Sequence, residues 1–190
     1  MVIAMNVPFR QIRAAYTDET ITVYQAYSSA IARPAVAAQR FVPPFKLDRM
    51  TWIKPSFLWM MYRCGWAAKP GQSHVLAVEI TREGWEWALA HACLSHYDRE
   101  HHADHESWRA LLRESPVRIQ WDPERDRELN PLPHRSIQVG LSGEAIRRYA
   151  EDWTVSITDI TEGLRDRVPQ ERPYPLPPDL AQRIGATVAD

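Results

Sequence analysis

The feature that most constrains this chain is a hydrophobic period that keeps switching. Short stretches that alternate every second residue are interleaved, irregularly, with short stretches that are apolar at every third or fourth. Residues 20–27 (TITVYQAY) are β-branched and aromatic, and they read as a strand with Ile21, Val23 and Gln25 on one face. Residues 74–80 (HVLAVEI) read as a second strand. Thr81 then caps a helix that runs through Leu94 and stacks Trp85 and Leu89 on one stripe. Residues 104–114 (DHESWRALLRE) carry a capping Asp104 and an apolar stripe of Trp108, Leu111 and Leu112, and residues 117–121 alternate as a strand. In 135–141 (RSIQVGL), Ile137, Val139 and Leu141 face one way while Ser136, Gln138 and Gly140 face the other. Ser142 caps a further helix. The stretch 153–160 (WTVSITDI) is a last strand with Trp153, Val155 and Ile157 on one face. This irregular alternation predicts an α+β fold, a single domain whose mixed, mainly antiparallel sheet is flanked by helices.

Length and composition agree with one domain. A chain of 190 residues buries about 70% of its unfolded surface, and a 45% hydrophobic content supplies a core without disulfide or metal. Neither an internal repeat nor a Gly/Ser linker divides it. Two stretches read as irregular: 122–133 (DPERDRELNPLP), and the segment from Val168, where VPQERPYPLPP carries five prolines. The expected organisation is therefore a domain over 1–167 and a Pro-rich C-terminal tail over 168–190 that drapes over the domain or is disordered. Eight tryptophans are an excess for this length, enough to fill a core and line a pocket.

The charge balance excludes few functions. With 23 Lys+Arg against 24 Asp+Glu, the chain lacks the basic excess of a nucleic-acid packager, although a local positive groove fits inside a neutral total. Cys64 and Cys93 stand in no ligand or redox spacing, which points to a reducing cytoplasm. Residues 1–7 lack the basic flank of a secretory signal, and no run reaches the roughly 18 apolar residues of a membrane span. Seven glycines in neither G-x-G-x-x-G nor G-x-x-x-x-G-K argue against dinucleotide-binding and phosphate-loop folds.

The densest chemistry lies in 40–66 (RFVPPFKLDRMTWIKPSFLWMMYRCGW), where Lys46, Arg49, Lys54 and Arg63 are interleaved with Phe45, Trp52, Phe57 and Trp59. Phosphates take such charges and bases take such rings, so the pattern suits an anionic nucleotide or single-stranded nucleic acid. A half-buried surface on which Lys and Arg stems lie over apolar area produces the same pattern, and the two readings weigh about equally. Arg10 and Arg13 precede the first strand as a candidate phosphate clamp, with solvated arginines as the default. Tyr24, Gln25 and Tyr27 offer stacking or hydrogen bonding to a ligand ring, and alternation alone does not separate those roles from packing. His101 and His105 stand one helical turn apart, but no third ligand falls at a diagnostic spacing, so no metal is expected. Ser95 and His96 keep a hydrolase in reserve without a G-x-S-x-G elbow.

The strings IRAAYTDETITVYQAY, RFVPPFKLDRMTWIKPSFLWMMYRCGW, VLAVEITREGWEWAL and RSIQVGLSGEA resemble a widespread uncharacterised family, domain of unknown function 4291, from Arg10 to about Thr161. More distantly, the order of a first strand, an F-V-P-x-F segment leading to Arg49-Met50-Thr51-Trp52, and a late strand before a short helix resembles the DNA-targeting ADP-ribosyltransferase toxins. That family breaks the nicotinamide-ribose bond of NAD and transfers ADP-ribose to a base in single-stranded DNA. The resemblance implies an ADP-ribosyltransferase-like fold, with Arg49 on NAD phosphate or the target base and with Tyr24, Gln25 and Tyr27 at the nicotinamide end. Where the family's late strand carries a catalytic glutamate, this chain has Gln138, which can orient ribose hydroxyls but cannot ionise. Another acid, such as Glu144 or Glu79, then supplies the negative charge, or the protein binds without that chemistry.

The expected function is thus an ADP-ribosyltransferase, with NAD as substrate, no metal, and single-stranded DNA or RNA as a candidate partner. The expected site has Arg49 and Gln138 at the chemistry, Arg13, Lys46, Arg49 and Lys54 on phosphates, and Tyr24, Tyr27 and Trp52 stacking. Gln25, Thr51 and Ser56 complete the lining. The alternative is a non-catalytic nucleotide or single-strand binding module using the same groove.

Overall fold

The computed structural model describes residues 7–187. Residues 1–6, part of the stretch expected not to be a secretory signal, and the last three residues of the tail lie outside the described residues. The described elements run β1 (Arg13–Ala14), β2 (Thr20–Tyr27), α1 (Ser29–Ala38), β3 (Thr51–Ile53), α2 (Phe57–Cys64), β4 (His74–Thr81), α3 (Arg82–Ala90), β5 (Ala92–Leu94), α4 (His105–Glu114), β6 (Val117–Arg125), β7 (Pro131–Leu141), α5 (Gly143–Arg148), β8 (Thr154–Asp159), β9 (Arg172–Pro173) and α6 (Pro178–Ile184).

Alternation in β2 does what the sequence predicts. Ile21, Val23 and Gln25 sit opposite Ile80, Val78 and Leu76 of β4, and all six are buried. Strands β2, β4 and β8 form one antiparallel sheet; β3, β7, β6 and β5 form a second, antiparallel except for the β5–β6 pair; and β1 pairs with β9. The fold is therefore α+β and rich in antiparallel pairing, with two main sheets rather than one. Ile53, Ile119, Ile137, Val139 and Leu141 of the second sheet join the first sheet's face in one continuous core.

The sheets meet at β2 and the end of β3. The Tyr24 backbone N–H donates to the Lys54 carbonyl at 2.7 Å. Beside it, the Gln25 amide nitrogen lies 2.7 Å from Thr51 Oγ1, 2.8 Å from the Tyr27 hydroxyl and 3.1 Å from the Trp52 carbonyl, while the Tyr149 hydroxyl donates to Gln25 Oε1 at 2.6 Å. Gln25 is 3% exposed, so these partners replace all of its water.

Several local readings change. Helix α3 stops at Ala90 rather than continuing through Leu94, because Ala92, Cys93 and Leu94 are all buried as a strand parallel to β6. The stretch 122–133, expected to be irregular, extends β6 and β7 into a hairpin whose turn Asp126 closes by accepting from the Asn130 N–H at 2.8 Å. Pro123 is tolerated because β5 covers only 117–119, which leaves that edge of β6 without a strand partner among the described residues. Val155 is 52% exposed instead of sharing the face of Trp153 and Ile157. A bulge pairs Glu79 with Ser156 and Ile80 with Thr154, so Val155 is the extra residue. Helix α4 has its capping box, Asp104 with Ser107, but buries no residue fully, and Leu111 is exposed.

Two helices come from the stretches without a clear period. Helix α2 follows Lys54-Pro55, takes Ser56 as N-cap for the Trp59 N–H, and ends at Gly65 with φ 59°, a left-handed turn that glycine adopts without strain. Its Phe57, Met60, Met61 and Cys64 form a second, smaller core with Tyr24 and Val75. The segment from Val168 lies on the domain: Tyr174 is buried, its N–H donates to the Ile12 carbonyl, and Leu180 and Ile184 of α6 enter the main core. Helix α6 starts at Pro178, where a missing N–H costs nothing. Among the described residues no helix is long and apolar enough to cross a membrane.

Gly84, in the first turn of α3, lies flat against the Trp153 indole, and a methyl group there overlaps the ring. Gly84→Ala is expected to lower stability by about 1–3 kcal/mol, the usual cost of overpacking. Urea denaturation checks this, and an unchanged midpoint contradicts the packing.

Candidate functional site

The junction of the sheets floors a cleft of about 400 Å³. Gln25 and Tyr27 reach it from β2, Thr51 and Trp52 from β3, Lys46 and Arg49 from the preceding loop, Lys54 from the segment after β3, and Met60 and Arg63 from α2, with Gln72 from the following loop. Trp52 fits because its strand partner is glycine: a Cβ on Gly140 would lie 2.9 Å from the indole and 2.8 Å from Met50 Sδ.

The electrostatics of the cleft are one-sided. Lys46, Arg49 and Arg63 are exposed at the rim, Lys54 is 6% exposed at the floor, and among the described residues no Asp or Glu lines it. The Lys54 ammonium donates to the Trp52 carbonyl at 3.0 Å and lies 5.4 Å from the Trp59 ring centroid. Burial first, and the Arg63 charge second, depress its pKa to about 7, against a weaker opposing pull from Asp122. Tyr27, beside Arg49, is pushed up to about 12 by burial, so it remains a hydroxyl donor in the physiological range.

Of the residues singled out by sequence, the cleft gathers Gln25, Tyr27, Lys46, Arg49, Thr51, Trp52 and Lys54. Four lie elsewhere. Tyr24 packs edge-to-face on Phe57 with centroids 5.6 Å apart, because successive strand residues face opposite ways. Ser56 caps α2 and donates to Glu124 Oε1 at 2.8 Å. Gln138 donates to Asp122 Oδ2 at 2.8 Å, and Gln120 donates to the other Asp122 oxygen at 2.9 Å. Arg13 acts on Glu124 and Glu171 rather than on the cleft. The two acids considered as replacements for a catalytic glutamate are engaged outside it: Glu144 pairs with Arg148 at 2.6 Å, and Glu79 accepts from Ser156 at 2.5 Å.

Sequence reading missed the pair Glu124 and Glu171. Glu171 accepts from the Phe57 N–H at 2.8 Å at the start of α2 and borders a second cavity of about 420 Å³ with Thr20, Thr22 and Glu79. Burial raises both carboxyls, and for Glu171 the charge of Glu124 adds to it, giving a pKa of about 8. Glu124 was legible only once WDPER is seen to continue a strand, and nothing in the proline-rich segment marks Glu171. The histidine cluster organises a loop: His101 lies 3.3 Å from Asp98, and His105 stacks on Tyr97 at 3.8 Å. Ser95 Oγ and His96 Nδ1 are 3.3 Å apart at the surface. Among the described residues no group of three or more His, Cys, Asp or Glu could hold a metal ion.

Two pH dependences follow with opposite signs. Between pH 7 and 10.5 the native state has released the Lys54 proton that the unfolded chain still holds, so stability rises with pH across that window. Lys54→Met is expected to resist unfolding better than the wild type, with a margin that is largest at or below pH 7 and shrinks toward pH 10. Thermal unfolding over this range checks it, and a margin independent of pH contradicts it. Glu171 keeps a proton that the unfolded chain loses between pH 4.5 and about 8, so stability falls as pH rises through that window. Glu171→Gln is expected to match the wild type near pH 4.5 and to exceed it at pH 8. Equal melting temperatures at pH 8 would show an unperturbed carboxylate.

A family model described as Domain of unknown function (DUF4291) matches residues 11–172. No curated protein matches the chain.

Proposed function

The chain belongs to the family described as Domain of unknown function (DUF4291), and from that premise we propose that it binds NAD in the Lys54-floored cleft and transfers ADP-ribose to a nucleic-acid base or another acceptor. One observation carries the reading: a cleft of about 400 Å³ brings three exposed cations, the buried Lys54 and Trp52 together with no carboxylate in its described lining. That volume suits a nucleotide-sized ligand. A diphosphate takes Lys46, Arg49 and Arg63 at the rim, a ring stacks on Trp52, and the hydroxyls of Thr51 and Tyr27 are offered to a ribose. Two antiparallel-rich sheets meeting at the cleft are in keeping with an ADP-ribosyltransferase-like arrangement, which the F-V-P-x-F and Arg49-Met50-Thr51-Trp52 strings also suggest. Cleaving the nicotinamide bond builds positive charge on the ribose. No carboxylate of the described lining meets that charge; Asp122, held by Gln138 outside the lining and felt by Lys54, is the acid proposed to act on it from a distance. Two buried free thiols, Cys64 and Cys93, suit a cytoplasmic setting.

A second reading, a nucleotide or single-strand binding module without catalysis, is favoured by one observation: no carboxylate lines the cleft among the described residues. Chromatography of NAD mixed with the protein, with and without single-stranded DNA or RNA, separates the two. The transferase reading predicts nicotinamide release that Arg49→Ala reduces about tenfold to a hundredfold, the value of one or two charged hydrogen bonds. Intact NAD together with salt-dependent binding of the nucleotide or strand selects the binding module.

A further inference from the structure

We propose that Lys54 is a reactive amine that condenses with a phosphorylated aldehyde held in the cleft. The chain spends its positive charge almost wholly on arginine. It has three lysines, Lys46, Lys54 and Lys69, and of these only Lys54 is buried. A residue needed for charge alone is better supplied by arginine, which stays protonated when desolvated, whereas a lysine so placed gives up its proton. Among the described residues Lys54 has no carboxylate within 4 Å; its Nζ donates to the Trp52 carbonyl at 3.0 Å, and the residue is part of the cleft lining. Arg63 and Arg49 stand at the same cleft and supply fixed positive charge for the phosphate of an incoming molecule, while Trp52 offers a face for a ring. With its pKa depressed to about 7, about half of the amine is unprotonated at neutral pH, against roughly one part in a few thousand for an ordinary lysine.

The step balances without an oxidant or reductant. The Nζ lone pair attacks the aldehyde carbon, and one amine proton passes to the oxygen to give a carbinolamine. The hydroxyl then leaves with a second proton as water, which yields an imine. This inference uses the cleft's preference for anions and needs no bond of NAD to break, so it stands or falls apart from the transferase reading.

The test treats the full chain with pyridoxal 5′-phosphate, with ribose 5-phosphate, or with ADP-ribose, whose terminal sugar opens to an aldehyde. Cyanoborohydride then delivers hydride to the imine carbon and fixes a secondary amine. Peptide mapping of the wild type reads the position, so no variant has to fold. The expected result is adduct on Lys54 at least about tenfold ahead of Lys46 and Lys69. Inorganic pyrophosphate suppresses it, and Lys54→Met or Lys54→Arg abolishes it. The aldehyde that labels at the lowest concentration identifies the class of ligand. Adduct spread evenly over the three lysines and the N-terminal amine, labelling indifferent to pyrophosphate, or no adduct from any of the three aldehydes overturns the assignment.

Discussion

Everything else in this structure depends on the hydrogen bonds of a single buried amide. Gln25 sits on the core face of β2 among Ile21, Val23, Leu76 and Val78, a place that ordinarily takes an aliphatic side chain. Its amide is held by Thr51, Tyr27 and the Trp52 carbonyl on one side and by Tyr149 on the other, all within 3.1 Å. An unsatisfied buried polar group costs about 1–3 kcal/mol. The network therefore holds its members only in the arrangement that satisfies all of them, and that arrangement fixes β3 against β2. Gln25, Tyr27, Thr51 and Trp52 of this network also line the cleft, so the contact that joins the sheets also positions the site.

Lys54-Pro55-Ser56 then links two electrostatic environments of opposite sign. Lys54 is a buried amine with only a weak opposing pull from Asp122, in a cleft whose described lining holds only Lys and Arg among its charged residues. Two residues on, Ser56 binds Glu124, next to Glu171, which accepts from the first N–H of α2. Burial drives the two ionisations toward the neutral form, down for the amine and up for the carboxyls. Native proteins keep such groups at a cost in stability, and sites that hold or exchange protons are where that cost recurs.

How much of this was legible follows from which residues are set by local rules. The faces of β2 and β7, the Thr81 and Asp104 caps, and the gathering of Lys46, Arg49, Thr51, Trp52 and Lys54 all come from alternation and short-range chemistry, which the sequence carries directly. Tyr24 shows the limit. It is aromatic, adjacent to Gln25 and on the right strand, yet it faces α2, and the position of α2 is a tertiary fact. Gln138 likewise lies on the expected face of β7, but β6 reaches it first through Asp122. Pro123 and Val155 mislead for a different reason: an unpaired strand edge and a bulge depend on which neighbours are present, and no local pattern records that.

The proposed ligand is a nucleotide whose diphosphate lies at the sheet junction. The most direct measurement is a crystal structure with ADP-ribose bound. Diphosphate oxygens are expected within hydrogen-bonding distance of Arg49 and of Lys46 or Arg63, with a ring against Trp52 and the terminal ribose toward Thr51 and Tyr27. ADP-ribose seated instead in the second cavity, by Thr22, Glu79 and Glu171, or a cleft that stays free of it at saturating concentration, would contradict this placement.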